Sequence, residues 1–496
     1  MQTCIMLVCI IMRFVDRSEE MARLDRLAAG EEGGLAVVYG RRRIGKTRLL
    51  LEWSAKRGGL YTVADQSTAE IQRRYVTEAL APRLPGFVDV EFRDWRALLA
   101  GLAREAQIAG LRGPFIFDEL PYLVLSSPEL PSVLQRWIDH EARAAKLVVA
   151  VAGSSQRMMQ GLVLAGDAPL YGRAREILEV GPLDPSFLDE IFGPAGGLEL
   201  VRTYAAWGGV PRYWELAADL DGDLRSRIDA LVLDPLGALH REPDRLLIEE
   251  LPPALETRPV LDAIGAGAHR ISEIAGRIGR AATSLWRPLD RLIGMGLVRR
   301  EVPFGESEKQ SRRSLYRIDD PFVRFWFRVV APHRGQLAAG SRRTRLAILD
   351  RRWGALVAQA WEDLCRRRAP RVDPATPLGA RGPWGPAARW WRANLPEWDL
   401  VAESVDGARL LLGEAKWSAR PLTGAGLERA LRELSSKPPP ALPPRYSGLE
   451  VVRALFVPEY VEDAGPPAAG KAGGPLLVTA ADLLGPELPR RVRGGG

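Results

Sequence analysis

Gly40-Arg-Arg-Arg-Ile-Gly-Lys-Thr47 decides how the N-terminal part of this chain is read. The stretch fits the phosphate-binding loop pattern G-x-x-x-x-G-K-[ST]. In such a loop, backbone N–H groups surround the phosphates of a nucleotide. Lys46 reaches the outer phosphates and the Thr47 hydroxyl ligates Mg²⁺. The candidate nucleotide-binding residues are therefore Gly40, Arg41, Arg42, Arg43, Ile44, Gly45, Lys46 and Thr47, with Arg48 beside them. The flanks agree. Leu35-Ala-Val-Val-Tyr39 is an apolar run suited to a buried parallel strand. Arg48-Leu-Leu-Leu-Glu52 opens an amphipathic helix, whose N-terminal dipole would face the anion.

Other runs carry the chemistry that such a loop needs. Gly113-Pro-Phe-Ile-Phe-Asp-Glu119 reads as a strand ending in two carboxylates. Asp118 would hold Mg²⁺, and Glu119 would polarise the attacking water. Lys146 to Ser155 is a further buried strand that ends in small polar residues. A hydroxyl there, with Ser154 first in line, would sense the γ-phosphate or orient water; the plain alternative is a helix cap. Leu170-Tyr-Gly-Arg-Ala-Arg175 precedes a strand over Ile177 to Val180. A fixed guanidinium stabilises charge on a transferring phosphoryl group, which makes Arg173 the candidate and Arg175 the reserve.

The 496 residues exceed one ordinary domain. Three cysteines (Cys4, Cys9, Cys365) provide neither a disulfide framework nor metal-ligand spacing, and four histidines argue against a His-rich metal site. Met1 to Met12 is apolar and uncharged, yet too short to span a bilayer and without a signal-peptide cleavage site. The expectation is that Met12 is the true start and that the protein is cytoplasmic, with no membrane partner. Net charge is +7, unevenly spread: Glu301 to Arg392 holds 19 Lys or Arg against 9 Asp or Glu. Such a basic segment suits nucleic acid, or is a solvated Arg-rich surface.

Taken together, Phe14-Val-Asp-Arg17, Gly40–Thr47, Phe117-Asp-Glu119, Gly153-Ser-Ser155 and Tyr171-Gly-Arg173 stand in an order that resembles the prokaryotic archaeal-type ATPases. These are AAA+-related P-loop proteins close to the STAND class. The resemblance implies an α/β fold with a parallel sheet in 5-1-4-3-2 order and a helical lid. It also implies ATP as the nucleotide and Mg²⁺ as its ion. The lid motif resembles Gly208-Gly-Val-Pro-Arg-Tyr213, and on that likeness Pro211 would sit against the adenine.

Beyond the lid, Arg258–Gly265, Ile271–Ile278 and Ser284–Ile293 have helical spacing, with Ser284 as the expected N-cap of the third. Leu297–Val302 and Ser314–Ile318 read as strands around a polar loop carrying Lys309, Arg312 and Arg313. This is a winged-helix pattern, fit either to bind DNA through its third helix and wing or to pack against protein. Asp320-Pro-Phe-Val-Arg-Phe-Trp-Phe327 is expected to pack it against the next domain.

The C-terminal part holds a second chemical signal. Trp398-Asp-Leu-Val-Ala402 and Leu410-Leu-Leu-Gly-Glu-Ala-Lys416 read as paired strands, and Glu414 and Lys416 project from one face. With Glu362 upstream, the pattern Glu…Asp…Glu-x-Lys resembles the PD-(D/E)xK nuclease core. That resemblance assigns Mg²⁺ binding to Asp399 and Glu414, with Glu362 as a supporting carboxylate, and the catalytic lysine to Lys416. Trp398 departs from it, because a smaller aliphatic residue usually precedes the aspartate. Residues 374–390, rich in Pro, Gly and Trp, read as an inserted loop.

The expected organisation is a start-site extension (1–11), a P-loop ATPase core (12–182), a helical lid (183–254) and a winged helix (255–318). An aromatic connector (319–345), a restriction-endonuclease-like α/β domain (346–484) and a disordered tail (485–496) follow. The expected function is a Mg²⁺-dependent ATPase whose nucleotide state controls a DNA-acting, nuclease-like module. The alternatives are a nucleotide-switched regulator or an AAA+ remodeller with an inactive nuclease-like domain. The resemblance leaves open self-assembly into homo-oligomers and whether Arg173 acts in its own subunit or a neighbour's.

Overall fold

Strands buried on both faces must be apolar along their whole length, and three such runs form the centre of the first sheet. A computed structural model describes residues 12–87, 89–166, 168–251, 254–309, 311–461 and 474–485. The expected start-site extension, and the expected tail from residue 486 onward, lie outside the described residues. The chain divides into two compact units, residues 14–183 with 210–212, and the remainder.

In the first unit, β1 (Gly34–Tyr39), β2 (Leu60–Val63), β3 (Phe115–Asp118), β4 (Val148–Gly153) and β5 (Ala174–Glu179) form one sheet in the order β5-β1-β4-β3-β2. Every pair is parallel. The 5-1-4-3-2 order is the one implied by the family resemblance. All six residues of β4 are buried. The edge strand β5 alternates instead, with Ile177 exposed, and begins three residues before its expected start. Leu35, Val37, Phe115, Phe117, Val149 and Val151 pack one face of the sheet against Trp95, Leu98 and Trp137.

In the second unit, helices Ala254–Gly265, Ile271–Ile278 and Trp286–Gly294 precede an antiparallel pair, β6 (Val298–Glu301) and β7 (Leu315–Ile318). Ser284 is not the N-cap of the third helix. It lies in a 3₁₀ turn, Ala282–Leu285, and its hydroxyl donates to the Ala281 carbonyl at 2.7 Å. The aromatic segment is internal: Phe322, Phe325, Trp326 and Phe327 are buried. Phe322 packs on Tyr213 at 4.4 Å between ring centres, and the Trp326 indole donates to the His240 carbonyl at 2.7 Å. These rings are consumed by packing and are closed to base stacking.

The last sheet runs β12-β11-β10-β9-β8: β8 (Ala388–Trp390), β9 (Trp398–Glu403), β10 (Arg409–Ala415), β11 (Glu450–Phe456) and β12 (Leu476–Val478). β8, β9 and β10 pair antiparallel, whereas β10, β11 and β12 run parallel. Residues 374–390 are therefore not wholly loop, because they end in the edge strand β8. The 27-residue helix Arg342–Arg368 starts at a Ser341 cap and buries Trp361, Leu364 and Cys365.

One buried charge cluster ties these parts together. Asp363, 2% exposed on that helix, accepts from Arg299 of β6 at 2.6 Å, from Arg324 at 2.5 Å and from Arg366 at 2.6 Å. Arg299 also donates to Asp319 at 2.7 Å, and Arg367 joins the same carboxylate at 2.6 Å. Burial alone would raise the Asp363 pKa, but the surrounding guanidiniums hold it well below the ordinary carboxylate range.

Candidate functional site

The phosphate loop begins where β1 ends and closes where helix Lys46–Arg57 starts. Its backbone needs conformations that few side chains tolerate. Gly40 has φ 148°, and a Cβ there would meet the Val180 carbonyl oxygen at 2.5 Å. Gly45 has φ 92° and caps the helix; Arg43 adopts φ 64°. Lys46 is 5% exposed, and its ammonium donates to the loop carbonyls of Gly40 (2.8 Å) and Arg41 (3.0 Å). A cation at the N-terminus of a helix suits a polyphosphate.

Further contacts shape the loop. The buried Arg17 donates to the carbonyls of Ile44 (3.0 Å) and Gly181 (2.8 Å), bracing the loop against the end of β5. Pro211 packs on Gly45, where a Cβ would lie 3.4 Å from the proline ring. Arg42 donates to the Tyr122 hydroxyl at 2.6 Å. Arg48 pairs with Glu52 along its own helix at 2.6 Å.

The expected metal and water-activating groups converge beside the loop. Thr47 donates its hydroxyl to Asp118 at 2.7 Å, so the two oxygens meant for Mg²⁺ already face each other. Tyr61, on β2, donates to the same Asp118 oxygen at 2.8 Å. Burial and the Asp118 charge raise the Tyr61 pKa, keeping it a donor. Glu119 has φ 55°, and its carboxylate accepts from the Ser154 hydroxyl at 2.5 Å and the Ser154 amide at 3.3 Å. Ser154 therefore positions Glu119. Its hydroxyl is committed to that carboxylate rather than pointed at a phosphate.

Arg173 is not brought to this site. It precedes β5 at the N-terminal edge of the sheet, whereas the loop follows the C-terminal end of β1, and the two strands run parallel. Six residues of strand separate the two edges by about 20 Å. There Arg173 pairs with Asp139 at 2.9 Å and lines a cleft with Gly34 and Arg143. Arg175 lies at the same edge, against Gly34. Neither guanidinium reaches the phosphate loop of its own chain. Arg173→Ala is expected to leave ATP affinity unchanged in a fluorescent-nucleotide titration.

The C-terminal candidates lie on β9, β10 and the long helix. Leu400 faces Gly413 across the antiparallel pair, which sets Asp399 next to Glu414. Asp399 accepts the Ala415 amide at 3.0 Å. Burial, then the Asp399 charge, raise the Glu414 pKa against the pull of Lys437. Burial and Asp399 push Glu362 up to about 7, against Arg366. The three carboxylates thus feel one another, yet among the described residues no group of three His, Cys, Asp or Glu is arranged to hold a metal ion. Asp399 and Glu414 stand side by side, and Glu362 is raised by the Asp399 charge. Lys416 lies just past β10, 44% exposed, with its ammonium 3.9 Å from Glu433.

Sequence reasoning passes over Tyr61, which carries no motif of its own, and Lys437, which stands among prolines after a helix. It also gives no role to Arg17, although the stretch Phe14-Val-Asp-Arg17 is itself part of the motif order and marks the residue.

Comparison with known proteins gives the following. Residues 14–216 match the model of an ATPase domain predominantly from Archaea. Residues 326–429 match a family of archaeal and bacterial proteins of unknown function. A protein of Methanocaldococcus jannaschii with no characterised role is 28% identical over 430 residues, covering 86% of this chain and 91% of that protein. The Walker-type ATPase paby2304 of Pyrococcus abyssi superposes with a TM-score of 0.50 at 20% identity, covering 64% of this chain and 96% of the other. The ORC2 protein of Aeropyrum pernix, solved in ADPNP–ADP complexes, gives 0.42 at 14% identity, covering 70% and 97%. Among the described residues no helix is long and apolar enough to cross a membrane.

Proposed function

Taking residues 14–216 as an archaeal-type P-loop ATPase domain, we propose that this protein hydrolyses ATP and that its nucleotide state controls a DNA-acting C-terminal module. The observation that carries the ATPase reading is the convergence of Thr47, Asp118, Glu119 and Ser154 beside the phosphate loop. Bound Mg²⁺ would neutralise charge on the β- and γ-phosphates. Thr47 and Asp118 would hold it, Lys46 would bind the outer phosphates, and Glu119 would take the proton of the attacking water. Pro211, packed on Gly45, would lie beside the base. Arg173 would act in trans, on the nucleotide of a neighbouring chain, because it faces away from its own. Lys46→Ala is expected to weaken ATP binding about 100-fold, since it removes a charge-assisted contact to phosphate. Retained affinity in a nucleotide titration would remove the phosphate loop from the reading.

For the C-terminal module, the paired Asp399 and Glu414 with Lys416 nearby support a nuclease-like site acting on phosphodiesters. Asp399 and Glu414 would be the ion's donors, and the basic stretch from Glu301 to Arg392 suits a nucleic acid partner. A second reading, a switch that cuts nothing, is favoured by the engagement of Glu414 with Lys437. Mg²⁺-dependent nicking of plasmid DNA, compared between wild type and Lys416→Ala, separates the two. Loss of nicking in the variant supports the first. Equal cleavage by both, or none by either, removes Lys416 from a cutting role.

A further inference from the structure

The carboxylate expected to bind a metal ion already holds a cation, and that cation is not Lys416. The Lys437 ammonium forms an ion pair and hydrogen bond with Glu414 Oε1. Four observations show that this placement is built into the fold. The Lys437 side chain is 18% exposed, against 44% for Lys416. Its ammonium lies 4.7 Å from the ring centre of Trp398, an attractive cation–aromatic geometry. The segment is pinned from both sides: the Trp398 indole donates to the Pro438 carbonyl at 3.2 Å, and Arg453 donates to the Lys437 carbonyl at 2.9 Å. Lys437 also caps the C-terminus of helix Gly424–Ser436, the end that favours positive charge.

Trp398 acquires a reason in this arrangement. A small aliphatic residue before Asp399 would give the lysine no aromatic platform and the proline carbonyl no donor. The residue that departs from the nuclease pattern is the one that fixes the extra cation.

We propose that Lys437 is a resident cation of the Asp399–Glu414 site, and that a divalent ion enters only by displacing its ammonium from Glu414. The proposal rests on the reading of Asp399 and Glu414 as divalent-ion donors. The displaced ammonium stays tethered beside the site by its backbone anchors. There it faces whatever anion the ion brings, which for a phosphodiester is a non-bridging oxygen. Lys437 is thus a positioning residue that sets how readily the site fills.

Isothermal titration of the full chain with Mn²⁺ tests this without relying on cleavage. Lys437→Ala is expected to bind Mn²⁺ about tenfold more tightly than wild type, because a competing, partly buried ion pair is gone. Lys437→Arg, which keeps the charge, should stay near wild type. Lys416→Ala should tighten binding less than Lys437→Ala, because its ammonium acts on Glu414 only through space. Glu414→Gln should abolish the Mn²⁺ binding that Lys437 controls in every background, leaving only ion held at Thr47 and Asp118. Circular dichroism melting of each variant checks that it is folded, and Lys437→Met, which removes the charge but keeps the packing of the side chain, is expected to show the same tightening if the alanine variant is not. Equal Mn²⁺ affinity in wild type and Lys437→Ala overturns the role of Lys437 while leaving the ion-donor reading intact. No Mn²⁺ binding that depends on Glu414 in any background overturns both.

Discussion

Glu119→Gln is expected to slow ATP hydrolysis by between about 10²- and 10⁴-fold, the contribution of a positioned general base, while leaving ATP affinity within about threefold of wild type. Glutamine keeps the shape of the side chain and can still accept the Ser154 hydroxyl, so the strand ends beside the loop should not move. What it loses is the ability to take a proton from water. The split between rate and affinity is the informative part: phosphate release reports the first and fluorescent-nucleotide titration the second. A variant that hydrolyses at the wild-type rate would show that Glu119 only holds Ser154 in place. A variant that fails to bind would show that the pair shapes the loop.

Asp363→Asn is expected to destabilise the second unit by about 3–5 kcal/mol, because it strips the shared counter-charge from buried arginines. Arg299, Arg324 and Arg366 all spend a guanidinium nitrogen on this one carboxylate. Arg324 Nη1 has no hydrogen-bond partner even in the intact cluster. The pH dependence follows from the depressed pKa. Such a carboxylate contributes stability in full above its unfolded value, near 4. It loses that contribution as pH falls through the lower, folded value. The gap between wild type and variant should therefore be constant at neutral pH and close only in strong acid. Urea unfolding followed by near-ultraviolet circular dichroism at several pH values measures it. A gap that disappears between pH 5 and 7 would place the acid-sensitive charge elsewhere.

Much of the first unit is legible in the amino-acid sequence alone, and for a physical reason. Parallel strands buried on both faces have to be unbroken apolar runs, and the loop glycines have to be glycines, so Leu35–Tyr39, Gly40 and Gly45 stand out locally. The cap expected at Ser284 fails because a 3₁₀ turn intervenes before the helix, and a hydroxyl can satisfy either. β8 leaves no mark because three residues that follow Gly385-Pro386-Ala387 are too few to show a period. The acidic centre is half legible. The strand pairing that places Asp399 beside Glu414 follows from hydrophobic runs. The lysine that holds Glu414 lies 23 residues along the chain and is delivered by a helix end. Upstream, the sequence pattern points to Glu362 and not to its neighbour, although Asp363 carries the larger structural load. Two of its partners lie 64 and 39 residues away, and nothing in local sequence marks them.

The arginine cluster has a mechanical consequence. Arg366 reaches Asp363 with one nitrogen and the Asp399 carbonyl with another, at 2.6 and 2.7 Å. Arg299 reaches the same Asp363 from the root of the β6–β7 hairpin. Hairpin and acidic strand are therefore linked through two arginine side chains and one shared carboxylate. Reciprocity then applies. If Asp399 and Glu414 take an ion as proposed, a ligand that shifts Arg299 would bias the filling of that site, and an ion there would bias the hairpin by the same amount.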